Sequence, residues 1–207
     1  MQKLRENVCI FFTLAVLMTS AGVPFQSDWT LISAKNNIKL WTKDRPNSRI
    51  KQFKVHTTSD KDIRLALVLL KDVVNMHKWY DKVESVTLLK KINDNEAIYL
   101  LEYDLPFPFD NRVSTIKGRL SFDTQIRKIK VSTTFFPYDI PDHKKHLPLV
   151  TDINSQWEIS TTSDGQIDIN HSGYMDPGGN IPDWIINQSV TSGPVKTINA
   201  FIQALDQ

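Results

Sequence analysis

The chain has 207 residues, a single cysteine, and a net charge near +2 from 25 Lys and Arg against 23 Asp and Glu. A balance this close to neutral carries no electrostatic footprint for nucleic acid, and one thiol excludes an internal disulfide framework or a cysteine-built zinc site. The length suits one domain with a sizeable core.

The N-terminus reads as an address and not as fold. Lys3 and Arg5 form a basic start, Val8 to Met18 is apolar except for Thr13, and Thr19-Ser20-Ala21 is a small-residue cleavage site. The apolar run is shorter than the roughly 20 residues a spanning helix needs. Residues 1–21 are therefore expected to be a cleaved export signal, with an uncleaved anchor as the alternative, leaving a single domain over residues 22–207. Cys9 lies inside the signal, so the mature chain would carry no thiol. That fits a periplasmic or extracellular protein, and a bacterial envelope better than a disulfide-built secreted domain.

Alternation dominates the chain after residue 37. "IKLWTK" and "IKQFKVHTT" are parted by the turn-rich Asp44 to Ser48. Ser59 to Asp62 then signals a helix start, and Ile63, Ala66, Leu67, Leu70, Val73 and Val74 recur at helical spacing, predicting a helix to about Asp72 with a further turn toward Trp79. "VESVTLLKKI" and "EAIYLLEYD", "RVSTIKGRLSFD" and "RKIKVSTTFF", and "INSQWEISTT" and "QIDINHSGYM" are three strand pairs with short links, which favour antiparallel pairing. The last thirty residues switch to helical period, with Ile181, Trp184, Ile185, Ile198, Phe201, Ile202 and Leu205 on one stripe and a kink or break expected near Gly193-Pro194. The class is α+β: a curved antiparallel sheet, one helix after its second strand, and a long C-terminal helix.

The passage "GYMDPGGNIPDWIINQ" joins the last strand to that helix. Asp176-Pro177-Gly178-Gly179 forces a sharp turn, Asn180 is placed to cap the helix, and Pro182 falls in the first turn, which would carry Trp184 onto the sheet. The segment from Tyr174 to Gln188 resembles the entry to the C-terminal helix of START domains, the lipid-transfer helix-grip family. "DWTLISAKNNIKLWTKD" is similar to that family's opening tryptophan helix and first strand, "LKDVVNMHKWYDKVESVTLL" to its helix-to-strand passage, and "LPFPFDNRVSTI" to its proline loop and strand start. Together these cover about residues 28–205. One departure is Val113, where the family often has Asp after Arg112; no counterpart of the cavity acid–base pair of some sterol-binding members can be placed.

The resemblance implies a hydrophobic tunnel between sheet and C-terminal helix that holds one lipid. Alternation nominates its lining: Tyr99, Leu101 and Tyr103 share a face, as do Ile116, Leu120 and Phe122, then Val131, Thr133 and Phe135, then Ser155, Trp157 and Ile159. His171, Trp184, Ile198 and Phe201 complete the candidates, and Arg112 and His171 are the headgroup candidates. The proline-rich "FPYDIPDHKKHLPLV" is the expected gate or membrane-touching loop, with Lys144 and Lys145 facing anionic headgroups.

Enzyme signatures are weak. His143 and His146 lack the helix and third ligand of a zinc site, no nucleophile elbow or dinucleotide fingerprint occurs, and Asp168 points away from His171 on the same strand. No metal or cofactor is expected. The leading expectation is a monomeric carrier of a lipid or other hydrophobic small molecule, with transient membrane contact. A helix-grip hydrolase or cyclase and a protein-interaction module are the alternatives.

Overall fold

The computed structural model describes residues 28–206, so the expected export signal lies outside the described residues. Nine strands succeed one another in chain order: β1 (Thr30–Lys35), β2 (Ile38–Lys43), β3 (Gln52–Ser59), β4 (Val83–Asn93), β5 (Glu96–Tyr103), β6 (Arg112–Asp123), β7 (Lys128–Phe135), β8 (Asp152–Thr161) and β9 (Ile167–Asp176). They form one open curved sheet in the order β1-β2-β3-β9-β8-β7-β6-β5-β4, and every neighbouring pair is antiparallel. Helix α1 (Ile63–Lys71) and a 3₁₀ segment, Val73–Lys78, join β3 to β4, and helix α2 (Asp183–Ala204) closes the chain. The expected α+β helix-grip architecture is what forms.

The opening segment departs from expectation. Thr30–Lys35 is a strand and not a helix, because Asn36 (φ 51°) and Asn37 (φ 62°) both take the left-handed conformation of a two-residue hairpin turn, pairing Lys35 with Ile38. α1 consequently comes after the third strand. It begins where the Asp62 carboxylate accepts from the Arg64 backbone N–H at 2.8 Å, and it buries Ile63, Ala66 and Leu70.

α2 differs from expectation at three points. The tight turn is made by Gly178 (φ 67°) and Gly179 (φ 66°), with the Gly178 N–H on the Asp176 carboxylate at 2.8 Å. Arg49 then holds the carbonyls of Gly179 (2.9 Å) and Ile181 (3.0 Å), which keeps the chain extended past Asn180. The helix starts only at Asp183, so Pro182 and not Asn180 is the capping position. Second, of the expected kink or break the break does not occur: α2 runs through Pro194. The missing hydrogen bond costs about 3 kcal/mol, which is offset by burial on both sides, of Ile185, Ile186 and Val190 before it and Thr197, Ile198 and Phe201 after it. Third, Trp184 faces solvent at 67 % exposure. It stands about 100° around the helix from Ile185, and Ile185 takes the buried side.

The core sits on the concave face. Leu40, Val55, Ile129, Ile159, Ile167 and Ile169 pack with Ile63 and Ala66 of α1 and Ile198 and Phe201 of α2. α2 rests mainly on β2 and β3, and this leaves the far half of the sheet without a helix directly upon it.

Candidate functional site

That uncovered half is hollow. A pocket of about 450 Å³ lies between β5, β6, β7 and β8 on one side and the N-terminal half of α2 on the other, with mainly apolar walls. The size falls within the ~300–1,000 Å³ usual for small-molecule sites. Tyr99, Leu101 and Tyr103 of β5, Ile116 and Leu120 of β6, Val131 of β7, Trp157 of β8 and His171 of β9 all stand on its wall. With Thr133 and Ser155, which also line it, the structure thus brings together ten of the residues nominated from the sequence.

The other candidates lie elsewhere. Ile159, Ile198 and Phe201 are fully buried in the solid core, and Phe122 packs half-buried against it. Phe135 is half-buried and off the pocket wall, and Trp184 is on the outside. Arg112 is buried but clamps backbone: its guanidinium donates to the carbonyls of Pro177 (2.9 Å) and Asp110 (2.6 Å), so it ties the turn before α2 to the start of β6. It is not among the residues that line the pocket.

The proline-rich segment is not a free gate. Thr115 donates to the Phe136 carbonyl (2.7 Å) and Ser114 to the Val150 carbonyl (2.8 Å), while Val113 exchanges backbone bonds with Pro148 (3.1 Å) and Val150 (2.8 Å). Lys144 is paired with Glu102, which alternates with the wall residues Leu101 and Tyr103 and so faces away from the pocket. Lys145 pairs with Asp142 at 2.6 Å. Among the described residues, none between 136 and 150 lines the pocket, and no cluster of metal ligands forms around His143 and His146.

Within the pocket wall lies one polar cluster. The Nε2 of His171 is 3.1 Å from both the Tyr80 hydroxyl and the Ser155 hydroxyl. The imidazole stacks on Trp157 (centroids 4.0 Å apart, planes at 12°) and meets the Phe53 ring edge-on at 4.9 Å. Gly173 makes this approach of strands possible: a Cβ there would stand 2.5 Å from the Asn154 carbonyl oxygen. Burial pushes the His171 pKa down to about 3 and the Tyr80 pKa up to about 12. His171 Nδ1 is buried without a partner. The outer neighbour Asp168 is instead 2.6 Å from His56. Ser155 and His171 therefore stand like a nucleophile and its base, but with no carboxylate on Nδ1 and a basicity far too low for proton abstraction near neutrality. The arrangement is one that donates and accepts hydrogen bonds.

Alternation missed Tyr80, Met76 and Phe53, all on the wall. Phe53 was within reach, since it shares the inward face of β3 with Val55. Tyr80 was not, because it comes after a 3₁₀ segment and precedes a turn with Lys82 at φ 65°, where no period operates.

No family model matches the chain. Among curated proteins, it is 24% identical over 196 residues to the uncharacterized protein PA1579 of Pseudomonas aeruginosa, spanning 93% of this chain and 94% of that one. Among solved structures, it is similar to a fragment of a STAR-related lipid transfer protein from Xanthomonas axonopodis at TM-score 0.76 and 24% identity, over 87% of this chain and all of that fragment. Human STARD10 matches at TM-score 0.73 and 18% identity, over 86% of this chain and 73% of that one. The chain has a START-like helix-grip fold.

Proposed function

We propose that the protein binds one hydrophobic ligand in the pocket between sheet and α2, and carries it between membranes of an extracytoplasmic space. The observation that supports this most directly is the 450 Å³ of space with mainly apolar walls, set in a fold shared with proteins named for lipid transfer. A chain of about 12 carbons gains on the order of 10 kcal/mol on leaving water. It gains nearly the same in a bilayer, so exchange between the two is close to balanced and needs only an opening.

The opening belongs at the pole formed by the residues 104–111 and the start of α2. Leu105 and Phe109 pack there on Ile181, Ile185 and Ile186, and Leu105, Pro106 and the three isoleucines also line the pocket. On the outside of the same two segments stand Phe107, 97 % exposed, and Trp184, 67 % exposed. Aromatic groups so placed suit a membrane interface.

The test is to express the full chain in a bacterial host, purify it from the envelope without detergent, and weigh it by native mass spectrometry. A mass beginning at residue 22 plus a stoichiometric hydrophobic adduct is expected. An empty, stable protein that takes up no lipid from vesicles would overturn the reading.

A further inference from the structure

The charges around the pocket are arranged so as to leave its interior neutral. Four cationic and four anionic side chains stand on the wall, and six of these eight are tied in pairs: Lys82 with Asp104 (3.0 Å), Lys91 with Asp94 (2.6 Å) and Arg119 with Glu96 (3.0 Å). The charged residue nearest the polar cluster along the chain is an acid, Asp81, whose backbone N–H donates to the Thr197 hydroxyl at 3.1 Å. Among the described residues no cation is bonded to Tyr80, Ser155 or His171, whose ring neighbours are Phe53, Trp79 and Trp157. A buried ionised head would have no counter-charge there, and burying such a group unpaired is strongly unfavourable.

The cluster nevertheless has hydrogen-bonding capacity to spare. One ring nitrogen, Nε2, faces two hydroxyls. In one imidazole tautomer Nε2 accepts from a single hydroxyl, and in the other it donates to a single hydroxyl. Tyr80 and Ser155 also bond to each other, and because each hydroxyl has one donor and two acceptor positions the cluster still has a bond to give or take; both residues are on the pocket wall. The Tyr103 ring, buried on the same wall, adds a third hydroxyl. Size narrows the ligand further: 450 Å³ lies toward the lower end of the ~300–1,000 Å³ usual for small-molecule sites, which suits one chain better than two.

We infer that the pocket takes a single-chain amphiphile with an uncharged head, whose hydroxyl or carbonyl oxygen joins Tyr80, Ser155 and His171. The inference rests on the proposed binding function and specifies its ligand class. The neutral imidazole agrees with it, since a histidine held at about 3 by burial offers no positive charge to a phosphate at physiological pH.

Three probes of one chain length separate the possibilities: dodecanol, dodecyl phosphate and dodecane, each titrated into the purified full chain with binding followed by tryptophan fluorescence, since Trp79 and Trp157 are both on the wall. Dodecanol is expected to bind at least about tenfold more tightly than dodecyl phosphate. Tyr80→Phe and Ser155→Ala, which each delete one oxygen, are expected to weaken dodecanol roughly three- to tenfold and leave dodecane unchanged. Equal affinity for alcohol and phosphate, or dodecanol binding indifferent to both substitutions, overturns the inference while dodecane binding preserves the hydrophobic pocket. Failure of all three probes to bind overturns the binding function itself. The head-group series on the unmodified chain decides the matter even where a variant does not fold.

Discussion

Under β2, β3, β8 and β9, the side chains of Leu40, Val55, Ile159 and Ile169 meet Ile198 and Phe201 of α2 with no space between them; under β5, β6 and β7, Tyr99, Ile116 and Val131 face a void. The two halves of the concave face have the same kind of composition. What separates them is coverage, because α2 lies on β2 and β3 and bridges the rest from one side. Apolar residues on a strand therefore make core where the helix packs directly on them and pocket where it stands off from the sheet.

This contrast can be broken most sharply by truncation on each side of it. Phe201 is fully buried in the solid half, so Phe201→Ala is expected to cost about 3–5 kcal/mol, the range for large aromatic deletions that leave a cavity. Leu120 already borders empty space, and Leu120→Ala is expected to cost about 1 kcal/mol, the transfer loss without a new cavity. Urea denaturation of both variants measures the difference. Equal losses would mean that the pocket closes in solution.

His171 sits at the boundary, stacked on Trp157 with its ring in the core and its Nε2 toward the pocket. Burial holds its folded pKa at about 3, whereas the unfolded chain titrates it near ~6.5. Between those values the unfolded state binds more protons, so the stability tied to the neutral ring is complete above about pH 6.5. It is lost as pH falls, at about 1.4 kcal/mol per unit, and stops changing below about 3. Carboxylates add their own slope, so the measurement is the difference between the unmodified chain and His171→Gln across pH 4 to 7. An identical pH profile in both would place the imidazole in water and not in the boundary layer.

How far the sequence discloses this division depends on the physics of period. Eight strands were legible from short apolar segments between turn residues, with alternation clearest in β2 and β9. β1 was not, since no residue between Thr30 and Lys35 is buried and an exposed edge writes no alternation. Alternation also assigns a face without saying what covers it: Leu120 and Phe122, or Trp157 and Ile159, share a face two residues apart, yet the first of each pair lines the pocket and the second packs in or against the core. Arg112, nominated for a headgroup, shows a related ambiguity. A buried guanidinium near a predicted cavity looks the same in sequence whether it meets a ligand or, as here, the carbonyl of Pro177.

The weakest effect on folding bears on how the hollow half is reached. Phe107 and Trp184 are exposed on the outside of the two segments whose inner sides line the pocket, so Phe107→Ser with Trp184→Ser should change stability by no more than about 0.5 kcal/mol, as surface substitutions do. The same pair should slow ligand exchange with vesicles severalfold if this pole meets the bilayer, because two aromatic groups that would enter the interface are gone. Equilibrium affinity for a soluble ligand should not move. A transfer rate untouched by both substitutions would direct attention to the other rim of the pocket, near Lys71, Lys91 and Asn95. That rim offers charged and amide groups in place of aromatic ones, and an entry there would respond to salt where the aromatic pole would not.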